Sequence, residues 1–301
     1  MRYKNLKYSY NVIGLAVIMF LAIREIMGFV LGTVPLEKGS VPYISVGLAT
    51  FIASCIIPAI VMENMLGMHP KLFKKANFVA VASAGVYSYL LILGAGLVNS
   101  LILALVKVAG LDFAPRTIDI PSGTAAVIMY FVYVCILPPI LEEIFVRGYI
   151  LNALKPLGTT FAVVVSSVCF SLMHSSLENF LLYFICGVIL ARVYLTFDSI
   201  FASMLVHFIN NTVSFFVMYF QQQVNAVSAL SMIAYINIFA IVLGVVGMRY
   251  LSKSGFRWKK MFYKDAELTV KLGYITKSPV AVCAFGMLLF FAAYQSFHNL
   301  V

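Results

Sequence analysis

Long apolar runs recur along this chain with only short polar breaks, and each is as long as the roughly 20 residues a helix needs to cross a bilayer. They fall at 10–33, 42–66, 78–107, 124–152, 160–175, 179–197, 200–220, 229–250 and 279–298. The expected fold is all-α, a polytopic transmembrane helical bundle of eight or nine spans, depending on whether the last run crosses or lies on the membrane. Composition agrees: 62% of the residues are hydrophobic and 11% charged, a mix that excludes a soluble globular domain. Neither a repeat nor a low-complexity tract breaks the pattern, so residues 1–301 read as one integral membrane domain.

The formal charge is +10, but the basic residues are clustered. Arg2, Lys4 and Lys7 precede the first run; Lys71, Lys74 and Lys75 follow the second; Lys155 follows the fourth. Lys253, Arg257, Lys259, Lys260, Lys264, Lys271 and Lys277 follow the eighth. The intervening loops, around Lys38, at 112–119, 175–178 and 221–225, are short of positive charge. This alternation is the positive-inside pattern and predicts a cytoplasmic N-terminus. The excess charge speaks to topology and to membrane lipids, and no soluble basic surface exists for nucleic acid. The basic loop at 252–278, with Phe256, Trp258, Phe262 and Tyr263, reads either as an interfacial anchor on anionic lipid or as a solvated loop. The N-terminus starts like a signal peptide but lacks a small-residue cleavage site, so it is expected to stay as the first span. Cys55, Cys135, Cys169, Cys186 and Cys283 are isolated in apolar runs without CxxC or Cys/His ligand spacing, and read as reduced packing residues.

Charges inside a spanning helix cost roughly 2.5–3.5 kcal/mol each on insertion scales, so they mark candidate function. The fourth run carries Glu142-Glu143-Ile144-Phe145-Val146-Arg147. At helical spacing Glu143 and Arg147 share a face, while Glu142 points elsewhere. One glutamate can therefore be paired and its neighbour left free. The fifth run carries Phe170-Ser171-Leu172-Met173-His174, and the seventh carries His207 and Asn211 one turn apart. Counted from the cytoplasmic ends, Glu142, His174 and Asn211 lie roughly 20 Å deep and His207 roughly 14 Å, which puts them in one layer.

These elements, EExxxR, FxxxH and HxxxN in that order on separate helices, resemble the motif set of the CAAX-protease and bacteriocin-processing (CPBP, abortive-infection) family. All three match without substitution, within a motif-bearing core at 124–220. The resemblance implies an intramembrane endopeptidase, acting on prenylated CAAX-type tails, leader peptides or other membrane-associated peptide or protein substrates. The same residues suffice chemically. Glu142 would act as general base on a water shared with His174, His207 and Asn211 would stabilise the oxyanion, and Glu143 with Arg147 would hold the helix. Glu142, His174 and His207 are also the ligand types of a zinc site, although HExxH spacing is absent; metal-dependent and glutamate-dependent readings both stay open. Arg24 and Glu25 read as a neutralising pair and Arg192 as a snorkelling residue, outside the site. Two rivals remain: a catalytically silent scaffold or bacteriocin-immunity protein, and a proton-coupled transporter, which would need a polar relay through the full bilayer. The expected location is the plasma membrane of a prokaryote.

Overall fold

The computed structural model describes residues 4–70, 73–110, 119–263 and 267–298. Arg2, Lys71, Lys264 and most of the loop at 112–119 lie outside the described residues. Ten helices and no strand are present among them: α1 (Lys4–Thr33), α2 (Val41–Leu66), α3 (Phe78–Val108), α4 (Thr124–Leu157), α5 (Thr159–Met173), α6 (Phe180–Phe197), α7 (Ile200–Gln223), α8 (Ala226–Lys253), α9 (Leu268–Thr276) and α10 (Pro279–His298). Eight of them, all except α5 and α9, are long and apolar enough to cross a membrane. The protein is an integral membrane protein.

Polar caps start the helices. Asn77 Oδ1 accepts from Ala80 N at 3.0 Å to open α3, and Asn225 Oδ1 accepts from Ser228 N at 3.0 Å to open α8. Large apolar side chains face outward, with Phe29 75%, Leu97 68% and Phe239 64% exposed, as lipid rather than water requires. The final run is a full helix, α10, packed on α1 and α5. Its seat depends on Gly14, where an added Cβ would come within 2.7 Å of Ala281 backbone.

Two faces can be told apart. On one, Lys74 pairs with Asp198 between the α2–α3 and α6–α7 connections, and Thr160 Oγ1 donates to Met261 O at 2.9 Å. There the basic loop is strapped to the helix ends: Trp258 packs against Tyr87 and Phe256 and lies under the Arg192 guanidinium at 4.7 Å. On the opposite face Ile120 N donates to Gln222 Oε1 at 3.0 Å, tying the lead-in to α4 to the end of α7.

The fifth run differs from the expectation. Helix α5 stops at Met173, about 22 Å long, and His174 is its C-cap rather than a residue within the span. The following turn stays inside the protein, with Ser175, Ser176 and Glu178 buried. Irregular backbone at membrane depth is tolerated only when protein covers it. Ser296 of α10 supplies much of that cover, accepting from Leu177 N at 2.9 Å and donating to Glu178 Oε2 at 2.6 Å.

Candidate active site

Helix α4 builds the site by departing twice from α geometry. It is π-helical at Val132–Ile136 and again at Glu143–Leu151, with an α segment, Leu137–Glu142, between. Pro138 and Pro139 account for the first departure's loose end. Val134 O would normally accept from residue 138 in α register or 139 in π register, and neither proline has an N–H. Asn211 of α7 fills the gap, donating Nδ2–H to Val134 O at 2.9 Å. The second departure is closed by Asn152, whose amide donates to the carbonyls of Arg147 at 3.1 Å and Gly148 at 3.0 Å. The backbone changes register between Glu142 and Glu143, and the two carboxylates part there.

Glu143 is fully buried and engaged. Its Oε1 meets Arg147 Nη1 at 2.9 Å and His207 Nδ1 at 3.1 Å. Arg147, 1% exposed, also donates Nη2–H to Gly187 O at 3.2 Å and lies 4.3 Å over the Phe170 ring. Gly187 lets α6 approach α5 closely, since an added Cβ would be 2.9 Å from Ser167 Cβ. A desolvated cation and anion here hold each other within hydrogen-bond distance, while Glu143 Oε2 and Arg147 Nε have no hydrogen-bond partner among the described residues.

Glu142 is buried as well, but its Oε2 has no hydrogen-bond partner among the described residues. It faces a cavity of about 750 Å³ whose wall also includes His174, His207 and Asn211. Glu143 and Arg147 lie behind that wall. His174 Nδ1 is 2.7 Å from Phe170 O. A carbonyl only accepts, so Nδ1 carries the proton, and Nε2 is the nitrogen left for the cavity. The ring stacks on Tyr183 with centroids 4.1 Å apart. His207, with Nδ1 against Glu143, likewise has Nε2 left over. Its supposed pairing with Asn211 is looser than one-turn spacing suggests: His207 turns to Glu143, whereas Asn211 turns to Val134 and Asn210.

Sequence reasoning left Arg24 outside the site. Its contact with Glu25 at 3.3 Å exists, but the guanidinium also donates to Met173 O and to Ser175 Oγ, each at 2.6 Å. It thereby clamps the end of α5 beside His174, where Ser175 takes a left-handed φ of 51°. No motif could have shown this, because the contact joins residues about 150 positions apart. Glu63, near the end of α2, was also passed over; it accepts from Tyr149 Oη and meets His69 Nδ1 at 2.8 Å, away from the cavity.

No group of three His, Cys, Asp or Glu side chains among the described residues is placed to hold a metal ion. Glu142, His174 and His207 share a wall, but the three do not converge as ligands. The residues do not fit a zinc site.

The fold and cavity thus define a class: a polytopic helical membrane protein with a Glu/His/Asn cluster lining an internal cavity. Residues 124–213 match the family model of the Type II CAAX prenyl endopeptidase Rce1-like family, a segment that contains Glu142, Glu143, Arg147, His174, His207 and Asn211. The likeness to the CAAX-protease and bacteriocin-processing family holds over that segment. No curated protein and no solved structure matches the chain.

Proposed function

We propose that this chain is an intramembrane endopeptidase of the CAAX type, with Glu142 as its general base. The observation that carries the reading is Glu142 itself, a buried carboxylate with an unpartnered oxygen on a cavity wall, beside a glutamate that lies off the cavity with Oε1 held by Arg147 and His207. An unpaired carboxylate at that depth is costly unless water and a reaction use it.

In the proposed step, Glu142 takes a proton from a water that also hydrogen-bonds His174 Nε2. The water oxygen bonds to the scissile carbonyl carbon, and the electron pair of the C=O bond moves to oxygen. Asn211 donates its second Nδ2–H to that oxyanion, and His207 donates from Nε2 in its doubly protonated form. Collapse breaks the C–N bond, and Glu142 returns the proton to the leaving amine. Glu143 and Arg147 do no proton transfer; they fix His207 and the register of α4. The poor fit to zinc supports the glutamate-dependent form. The N-terminus is cytoplasmic in this reading, and the membrane is the plasma membrane of a prokaryote.

The test is cleavage of a fluorogenic peptide panel, prenylated and not, by the purified protein beside Glu142→Gln and His207→Ala, with and without a chelator. Cleavage lost in both variants and unaffected by the chelator supports the reading. Cleavage that persists in both variants overturns the site, and loss on chelation overturns the glutamate-only mechanism.

A further inference from the structure

The cavity is lopsided. From Glu142 its wall climbs α4 to Tyr130, about 18 Å, and from His207 it climbs α7 to Met218, about 16 Å. On α3 it runs from Tyr89 out to Leu103, and Leu97 and Ser100 of that stretch are exposed. All three paths lead away from the basic face, toward the ends of α3, α4 and α7 where Ile120 meets Gln222. In the other direction the way is closed: Phe145, Ile150, Leu151, Ala191, Ile200 and Val206 are each fully buried beneath the glutamates. Positive charge collects on the sealed side, with Lys74, Lys155, Arg192, Lys259 and Lys271 near the helix ends there, and that side is cytoplasmic by the positive-inside rule.

We propose that the cavity opens to the extracytoplasmic side, and that it admits an uncharged, apolar stretch of a peptide presented from the outer leaflet or from outside the cell. The second half follows from the lining. Away from Glu142, His174 and His207 at its inner end, the wall contains no Asp, Glu, Lys or Arg, so a charged side chain held along that outer stretch loses hydration and finds no counter-ion. Tyrosines, Phe51, Phe215 and leucines make the rest of the wall largely apolar, with Asn and Ser side chains to take up a peptide backbone. The substrate half rests on the endopeptidase reading; the direction of opening does not.

The experiment uses the full chain in membrane vesicles, with native cysteines replaced by serine or alanine and one cysteine restored by Ser100→Cys, Ser214→Cys or, on the basic face, Lys259→Cys. A charged, membrane-impermeant methanethiosulfonate should modify positions 100 and 214 in right-side-out vesicles and position 259 only in inverted ones. Two cavity positions guard against one variant failing to fold. Modification of 100 and 214 only in inverted vesicles, of all three from one side, or of neither cavity position from any side overturns the proposal. An uncharged Ala/Leu/Phe peptide should slow modification of 214 by about tenfold relative to the same peptide carrying Lys or Glu, the ratio that ~1.4 kcal/mol of unpaired burial corresponds to. Equal protection by the charged peptides overturns the substrate half. Labelling needs no turnover, so an outward-opening cavity in a chain that cleaves nothing would defeat the endopeptidase reading and leave the access route standing.

Discussion

The two halves of the bundle handle polar groups in opposite ways. On the basic side, Arg147 and Glu143 are dry, paired and enclosed by residues such as Phe145 and Ile150. On the far side, the same helices part around Glu142, His174 and Asn211, which line a cavity. The difference is one residue of sequence, Glu142 against Glu143, placed at a change of helical register. It teaches that a spanning helix can carry two adjacent acids when one is spent on structure and the other faces a cavity. Neither could exchange places: an unpaired carboxylate in the sealed half would have no water, and a paired one in the cavity would be no base.

That contrast can be broken by experiment. Glu142→Gln should lower peptide cleavage by about 10²–10⁴-fold while leaving thermal unfolding in detergent unchanged or slightly raised; a fall in stability as large as the fall in rate would show that Glu142 is structural. Arg147→Met should show the reverse signature, losing about 3–5 kcal/mol of stability because Glu143 is left buried with His207 as its remaining partner, and the double variant Glu143→Gln/Arg147→Met should recover most of it. If the double variant is as unstable as the single one, packing rather than charge holds that layer.

Asn211→Ala sharpens the seam between the halves. It removes one proposed oxyanion donor, for a loss of about 10²-fold in kcat, and it orphans Val134 O, for about 1–3 kcal/mol of stability; stability loss without any change in kcat would reduce Asn211 to a backbone prop. Arg24→Met should free the end of α5, costing about 1.5–3 kcal/mol through the lost charged hydrogen bonds and lowering kcat more than KM, since His174 and not substrate is displaced. The smallest effect belongs to Lys74→Ala. The hydrogen bond from Lys74 to Asp198, and then the Asp198 charge, hold that ammonium above its usual range, so whatever it contributes is fully present at neutral pH and is lost as pH rises from the ordinary lysine value through the raised one. Both groups are solvent-exposed and screened, and the melting temperature should not move.

Much was legible beforehand for a plain reason. Apolar runs of bilayer length stand out in any sequence, and the nine drawn here each became a helix, including the last, whose packing on α1 was not foreseeable. The three polar motifs stood out because ionisable residues are rare in lipid. What stayed hidden has physical causes too. Helical spacing put Glu143 and Arg147 together and Glu142 apart, but the π segments of α4 depend on Pro138, Pro139 and the partners Asn211 and Asn152 supply. His174 was drawn inside a helix, because Leu172 and Met173 give no stop signal; the stop comes from Arg24 gripping the α5 carbonyl end.

The chain alone determined that this is an all-helical membrane protein, which residues are ionisable at depth, and which face carries the positive charge, since each is set by local composition against a solvent of fixed thickness. Only the tertiary structure decided that Asn211 spends its amide on Val134, that His174 caps α5, and that Arg24 belongs beside it. Those depend on side chains from helices far apart in sequence meeting within a hydrogen bond's length, and no local pattern encodes such a meeting.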